Sequence, residues 1–154
     1  MLFRSRRAGC EAAARVLGVK LLADASMAAV EGARSALGSG YQLARHVVSE
    51  CGRVRGFAAA IRSGNLVTAG RLMDESHASL RVDFRVSCRE LDEAVEIVRG
   101  CAGVFGARMT GGGFGGCAVA LARADAASAV VEAVKRKSLA RRGEAKAFGA
   151  FVAA

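Results

Sequence analysis

Over most of the chain, apolar residues recur at steps of three and four positions, which places them on one face of an α-helix. The longest such stretch covers Tyr41–Arg62 and is followed by the pair Ser63-Gly64. A second stretch covers Leu66–Leu80 and follows Asn65, a residue type that caps helix N-termini. We therefore predict two long amphipathic helices in succession. Their expected buried positions are Leu43, Val47, Cys51, Val54, Ala58 and Ile61 in the first helix, and Leu66, Ala69, Met73, Ser76 and Leu80 in the second.

Weaker periodic patterns predict four shorter helices. Gly18 follows the first of them as a C-cap, because glycine adopts the left-handed conformation that ends many helices. Ser87 and Glu90 have the spacing of a capping box, in which each side chain bonds the other residue's free backbone N–H group. These helices cover Ala8–Leu17, Ser26–Ala36, Ser87–Arg99 and Ala124–Lys137, with burial expected at Leu91, Val95 and Val98 and at Ala126, Val130, Val134 and Leu139.

After Gly100 the apolar period changes to two, which is the period of a β-strand. Val104–Met109 and Cys117–Leu121 are predicted strands on either side of a glycine-rich hexad, and Ala147–Val152 is a predicted last strand. Helices followed by two or three late strands indicate an α+β fold, with helices packed on a small antiparallel sheet. The 154 residues are the length of one domain, which we expect to cover the whole chain, residues 1–154.

The composition limits the classes of binding partner that we expect for the chain. Hydrophobic residues make up 53% of it, but no apolar run approaches the about 20 residues that a membrane span needs, so no membrane partner is expected. The formal net charge of +9 suits anionic partners. The densest basic patch has no interleaved aromatic residues, which favours a solvated helix end over a nucleic-acid site. That patch consists of Lys135, Arg136, Lys137, Arg141 and Arg142.

The cysteines and histidines do not form a metal-site pattern. The five cysteines include no C-x-x-C or C-x-C pair, so a zinc or redox site is not predicted and a reducing cytoplasm is the expected setting. Cys117 enters a predicted strand and is expected to be packed. His46 and His77 lack acidic neighbours at ligand spacing, so we expect hydrogen-bonded structural histidines.

The glycine-rich hexad is the most informative segment. It matches the pattern G-x-G-x-x-G, but a strand follows it instead of the helix that holds a pyrophosphate in dinucleotide-binding folds. The chain also contains no H-R-D or D-F-G triplet, which excludes a protein kinase. Five glycines in six residues cost conformational entropy, and such loops allow a ligand or another backbone to approach closely. The hexad is Gly111, Gly112, Gly113, Phe114, Gly115 and Gly116.

With its neighbours, this hexad resembles a known family signature. Met109–Cys117, which reads MTGGGFGGC, is similar to the third signature of galactokinases in the GHMP small-molecule kinase superfamily. Four further blocks resemble galactokinase segments in the same order, from about Phe3 to Val152. They are Arg6-Arg7 with Cys10–Ala13, Ala44–Val48, Glu75–Arg81, and Ser87 with Glu90–Asp92.

The resemblance implies ATP- and Mg²⁺-dependent phosphorylation of galactose, or a close sugar, at its anomeric hydroxyl. In this family an amino-terminal half supplies the main nucleotide-phosphate loop, the sugar-contacting segment and the catalytic Asp, and the glycine hexad borders the phosphate site. Neither amino-terminal signature is present here, and Asp83 and Asp92 lie in helix and turn segments. The resemblance therefore implies a carboxy-terminal half with no catalytic residue of its own, which binds ATP and Mg²⁺ mostly through the missing half and is inactive alone.

Several positions depart from the family pattern. Phe3 stands where the resemblance implies a sugar-adjacent Tyr, and Val82, Phe84 and Arg89 replace the usual Asp, Tyr and Pro of their segments. Three hypotheses stay open: a galactokinase carboxy-terminal half with a complementary amino-terminal half, a non-catalytic relative that binds nucleotide, sugar or protein, and a basic nucleic-acid-associated module. For the first, the unpaired surface is expected to be apolar and to self-associate.

Overall fold

A computed structural model describes the backbone of residues 2–142 and the side chains of residues 5–137. Seven α-helices and two β-strands make up this described range. The helices are α1 (Leu2–Val16), α2 (Met27–Gly32), α3 (Arg34–Leu37), α4 (Tyr41–Arg62), α5 (Leu66–Val82), α6 (Arg89–Arg99) and α7 (Ala127–Arg142), and the strands are β1 (Val104–Thr110) and β2 (Cys117–Ala122).

The predicted α+β class is confirmed. Strands β1 and β2 form a two-stranded antiparallel sheet whose register pairs Thr110 with Cys117 at the loop end and Val104 with Ala122 at the other. Helices α5 and α6 pack against β1, and α7 packs against α6. The predicted strand Ala147–Val152 lies outside the described residues. No helix in the described range combines the length and the apolar character needed to cross a bilayer.

The helix ends follow local signals with three exceptions, of which the start of α6 is described below. The C-cap at Gly18 is confirmed, since this residue has a φ of 66° and the Val19 N–H donates to the Ala14 carbonyl at 3.0 Å. Helix α1, however, begins at Leu2 and not at Ala8, because residues 2–7 contain only residues that a helix tolerates. The predicted helix Ser26–Ala36 is divided into α2 and α3 by a break at Ala33.

The predicted capping box at the start of α6 is wrong. Cys88, and not Ser87, is the N-cap residue, and its side chain makes no capping hydrogen bond. The Ser87 hydroxyl instead donates to the Asp92 carboxylate at 2.6 Å. Because the helix begins at Arg89, Ser87 lies one residue too early to cap it.

The apolar face that was predicted for α4 is buried only in part. Val54 and Ile61 are 59% and 41% exposed, while Ala44 and Val48 are buried. The burial of α4 is concentrated in its first two turns, which pack against α1 and α2, and its later turns meet mainly α5. In α5 the expected burial of Ala69, Met73, Ser76 and Leu80 is confirmed, whereas Leu66 is 36% exposed at the helix start.

Helix α5 and strand β1 approach each other more closely than any side chain would allow. A Cβ added to Gly70 would lie 2.0 Å from the Phe105 carbonyl oxygen, and one added to Gly106 would lie 2.0 Å from the Gly70 carbonyl oxygen. The Asp74 carboxylate accepts a 2.9 Å hydrogen bond from the Ala107 N–H, which fixes the strand along the helix. These contacts set the position of the hairpin and of the loop at its end.

Candidate functional site

The glycine hexad forms the loop that joins β1 to β2, as predicted. Most of its residues lie in the left-handed region, where L side chains are strained and glycine is not. This geometry requires glycine at several positions and also imposes a left-handed backbone on one phenylalanine. The φ values are 93° at Gly111, 84° at Gly113, 59° at Phe114, 140° at Gly115 and 105° at Gly116.

One side of this loop is anchored to the segment between α5 and α6. The Phe114 N–H donates to the Val86 carbonyl at 2.7 Å. A Cβ at Gly113 would lie 2.4 Å from the same oxygen, so only glycine fits there. Val86 itself is buried beside Leu80, Leu91 and Met109. The loop tip is therefore tied to a packed part of the core.

The other side of the loop faces open space. A Cβ added at Gly111, Gly112 or Gly115 would meet no atom within 4 Å, and the Phe114 side chain is 41% exposed. Successive backbone N–H groups in left-handed and turn conformations form concave surfaces that bind anions. A loop with one anchored side and one open, unobstructed side is suited to lie against a phosphate group.

His77 contacts both the hairpin and α6 through its two ring nitrogens. Its Nδ1 accepts a hydrogen bond from the Met109 N–H at 3.2 Å, and its Nε2 lies 3.3 Å from the Asp92 carboxylate. Burial lowers the pKa of His77, despite the opposite effect of Asp92. The residue is a hydrogen-bonded structural histidine, in agreement with the prediction.

Arg108, which precedes Met109 in β1, links the hairpin to α4. Arg108 forms an ion pair with Glu50 at 2.9 Å, and Glu50 also contacts Arg53 at 2.7 Å and accepts a hydrogen bond from Ser76 at 2.5 Å. Burial acts to raise the pKa of Glu50, but the hydrogen bonds from Ser76 and Arg53, together with the charges of Arg53 and Arg108, lower the pKa overall. Glu50 is thus an ionised structural carboxylate.

A second buried polar group joins α4 to the end of α5. The Ser79 hydroxyl lies 2.9 Å from His46 Nδ1 and donates to the Asp83 carboxylate at 2.9 Å, while Arg45 donates to both oxygens of Asp83. Burial lowers the pKa of His46 to about 4. The Phe84 ring stacks on the His46 ring at a centroid distance of 4.5 Å. Like Asp92, Asp83 is held by cations, so neither carboxylate is a free base.

Cys117 and Phe3 are two further positions that the sequence singled out. Cys117 was expected to be packed and is exposed, because it pairs with the exposed Thr110 at the loop end of a ribbon whose outer side is uncovered. The side chain of Phe3 lies outside the described side chains. Within residues 5–137, no group of three or more His, Cys, Asp or Glu residues is placed to hold a metal ion.

The basic patch near the end of α7 is only partly described. Lys135 donates to Glu132 at 2.9 Å, and Arg136 and Lys137 are exposed. Arg141 and Arg142 have side chains outside the described range. The patch thus begins as a solvated helix face, the arrangement that the sequence favoured.

The chain is similar to known kinases. Residues 57–140 match the family model for GHMP kinases C terminal. Galactokinase from Homo sapiens is 50% identical over 123 residues, which are 79% of this chain and 31% of that protein. Galactokinase from Streptomyces coelicolor is 46% identical over 136 residues, which are 86% of this chain and 35% of that protein.

A solved structure agrees with these relatives. The crystal structure of Lactococcus lactis galactokinase complexed with galactose superposes with a TM-score of 0.87 and 35% sequence identity, and the match covers 94% of this chain and 39% of that chain. This chain therefore spans about a third of the length of the curated relatives it matches, and the matched part is their carboxy-terminal part. On these grounds the chain belongs to the GHMP kinase C-terminal family and corresponds to the carboxy-terminal part of galactokinases.

Proposed function

We propose that this chain, as a single GHMP kinase C-terminal domain over residues 1–154, is the carboxy-terminal part of a cytoplasmic galactokinase-type sugar kinase. In the complete enzyme, the γ-phosphoryl group of ATP passes to the anomeric hydroxyl of galactose or of a close sugar. Support comes from identities of 46–50% to curated galactokinases and from the fold shared with a galactokinase whose structure contains galactose.

The loop Gly111–Gly116 is the observation on which this proposal depends. Phosphoryl transfer relies on positioning the reacting groups and on neutralising their charge, and preorganised backbone N–H groups contribute to both. The loop is held on one side by Val86 and is free of side chains on its open side. We assign it a place beside the phosphates of ATP, where the absence of side chains at Gly111, Gly112 and Gly115 leaves room for the nucleotide.

The remaining chemistry is assigned to the part of the relatives that this chain does not span. The described residues offer no metal-ligating cluster, and Asp83 and Asp92 are held in ion pairs. Mg²⁺, the catalytic carboxylate and most contacts to the sugar are therefore placed in an amino-terminal part. When bound, Mg²⁺ neutralises the phosphate charge.

The first test compares the chain alone with a chimera. The pure chain, mixed with galactose, ATP and Mg²⁺, is expected to release no ADP in a coupled assay. A chimera in which this chain replaces the matching segment of Streptomyces coelicolor galactokinase is expected to release ADP only when galactose is present. Turnover by the pure chain would refute the division of roles proposed here, and a folded but inactive chimera would favour a non-catalytic relative.

The second test places a methyl group on the open side of the loop. In the chimera, Gly112→Ala is expected to lower kcat/KM for ATP by about ten- to a hundredfold, because a small displacement of the phosphates is costly in phosphoryl transfer. Gly52→Ala is the matched control, since a Cβ there also meets no atom within 4 Å but lies in α4. Equal activity of the two variants would remove the loop from the nucleotide site.

A further inference from the structure

A cavity of about 660 Å³ lies among α1, α3, the first turn of α4 and the turn that follows α5. Three arginines from separate elements line it, and the hydroxyl-bearing residues Ser35 and Ser39 line it as well. Its volume is within the range of pockets that hold small molecules. The arginines are Arg6 of α1, Arg34 of α3 and Arg85 of the turn after α5.

The charge of this cavity is not neutralised from within. None of the three arginines forms an ion pair with a carboxylate among the described side chains. The Arg34 guanidinium lies 4.7 Å from the centre of the Tyr41 ring, and Arg85 Nε donates to the Val82 carbonyl at 3.4 Å. Asp83 also lines the cavity, but both of its oxygens accept hydrogen bonds from Arg45. Glu31, which lies one turn before Arg34, accepts the Tyr41 hydroxyl at 2.9 Å. The lining therefore keeps a net positive charge.

One donor in this wall is buried without a partner. Arg6 Nε has an accessible surface below 1 Å² and, within the described range, makes no hydrogen bond. A buried charged donor of this kind is destabilising and is rare in folded proteins. A rotation of the Arg6 side chain towards the cavity would bring this donor within reach of an anion.

The start of α4 adds to the positive field. Tyr41, Gln42 and Leu43 form the first turn of this 22-residue helix and line the cavity. The N-cap residue is Gly40, which offers no side chain to cap the turn, and the Tyr41 N–H donates to the Gly38 carbonyl of the preceding 3-10 turn. The N-terminal end of a helix carries a partial positive charge and attracts anions.

From this combination we propose that the cavity binds the phosphate or diphosphate group of a small anionic metabolite. Guanidinium groups match the geometry of phosphate oxygens and donate two hydrogen bonds at once. In a cavity of about 660 Å³, a compact tetrahedral anion has room to lie among the three arginines, whereas an extended acidic peptide does not. The cavity residues lie outside the Gly111–Gly116 loop, so the test of this assignment is separate from the tests of the proposed function.

The test is isothermal titration calorimetry of the full 154-residue chain with sodium pyrophosphate at constant ionic strength. Binding is expected to saturate at one ligand per chain. Arg6→Gln and Arg85→Gln are each expected to weaken it about tenfold or more, the loss that follows from removing a charge-assisted contact. Arg7→Gln is the matched control, because it makes the same charge change at an exposed arginine that pairs with Glu11, and its affinity is expected to stay unchanged.

Three results would overturn the proposal. They are the absence of saturable binding, an equal loss in the Arg7→Gln control, and tighter binding of hexaglutamate through the same arginines, which would make the cavity a protein-docking site. If Arg6→Gln does not fold, Arg34→Gln and Arg85→Gln decide the question, because both residues are exposed.

Discussion

The Val86 carbonyl oxygen accepts a 2.7 Å hydrogen bond from the Phe114 N–H and lies 2.4 Å from the position that a Cβ at Gly113 would occupy. Two consecutive residues of the loop thus depend on one backbone oxygen. Because Val86 is 4% exposed and packed among Leu80, Leu91 and Met109, this oxygen is held in place by the core. The shape of the loop is therefore fixed from the α5–α6 segment as well as from its own strands.

Gly113→Ala is expected to destabilise the chain. The new methyl group would lie 2.4 Å from the Val86 carbonyl oxygen, on a residue with a φ of 84°. Both effects are unfavourable, so the free energy of unfolding should fall by about 1–3 kcal/mol. Urea unfolding measures it. The control is Gly112→Ala, at an open position outside the left-handed region, which should change stability by less than about 0.5 kcal/mol.

Gly70→Ala is expected to be more damaging than Gly113→Ala. The added Cβ would lie 2.0 Å from the Phe105 carbonyl oxygen, and neither helix nor strand backbone is free to move away. We expect a loss of about 3 kcal/mol or more in the free energy of unfolding. Gly52→Ala, in the exposed middle of α4, should instead stabilise the chain by up to about 1 kcal/mol. Similar urea midpoints for the two variants would contradict the close contact described here.

Stability is expected to fall as the pH is lowered below about 6.5. Burial lowers the pKa of His46 from 6.5 to about 4 in the folded chain, so the unfolded chain binds more protons between these values. Stability therefore rises with pH across this window and is lost as pH falls through it. From pH 7 to pH 5 the loss linked to His46 should be about 2 kcal/mol.

Variants of both histidines separate this effect from other titrations. His46→Gln should flatten the dependence between pH 5 and 7, measured by urea unfolding at each pH. Burial also lowers the pKa of His77, which acts in the same direction, and these are the chain's only two histidines. The double variant should therefore show almost no slope in this range. A His46→Gln profile parallel to that of the unchanged chain would contradict the prediction.

The cysteines are expected to differ in reactivity towards a thiol reagent such as Ellman's reagent. Cys117 is exposed, while the other four are partly buried. Burial raises the pKa of the Cys10 thiol, which lowers its thiolate fraction. Cys117→Ser should therefore remove the fastest phase of labelling, and Cys88→Ser should retain it. Loss of the fast phase in Cys88→Ser alone would show that β2 is covered.

Local signals in the sequence predicted the two long helices and the hairpin well. The bounds of α4 match the prediction because Ser63-Gly64 and Asn65 are adjacent stop and start signals, and the Asn65 side chain accepts from the Thr68 N–H as expected. The strands were predictable because the period of two begins after Gly100. These features depend only on residues a few positions apart.

Features that join distant segments were not predictable in this way. The exposure of Val54 depends on which elements run beside α4, and the spacing of apolar residues carries no such information. The anchor of the loop is a carbonyl oxygen of Val86, which no side-chain pattern marks. The cavity brings together Arg6 and Arg85, which are far apart in the chain. Sequence periodicity identifies the apolar face of a helix or strand, but tertiary packing determines which other elements that face contacts.

The backbone contact between Gly70 and Gly106 has a consequence for motion. With no side chain between them, α5 and the hairpin have no compressible layer across which to slide, so they should shift together as one rigid body. Any opening or closing of the hexad towards a ligand must then arise from rotation about its own φ and ψ angles, on the open side of the loop away from the hydrogen bond between Phe114 and Val86. The glycines would supply the flexible positions, while α5 would keep a fixed position relative to the strands of the hairpin.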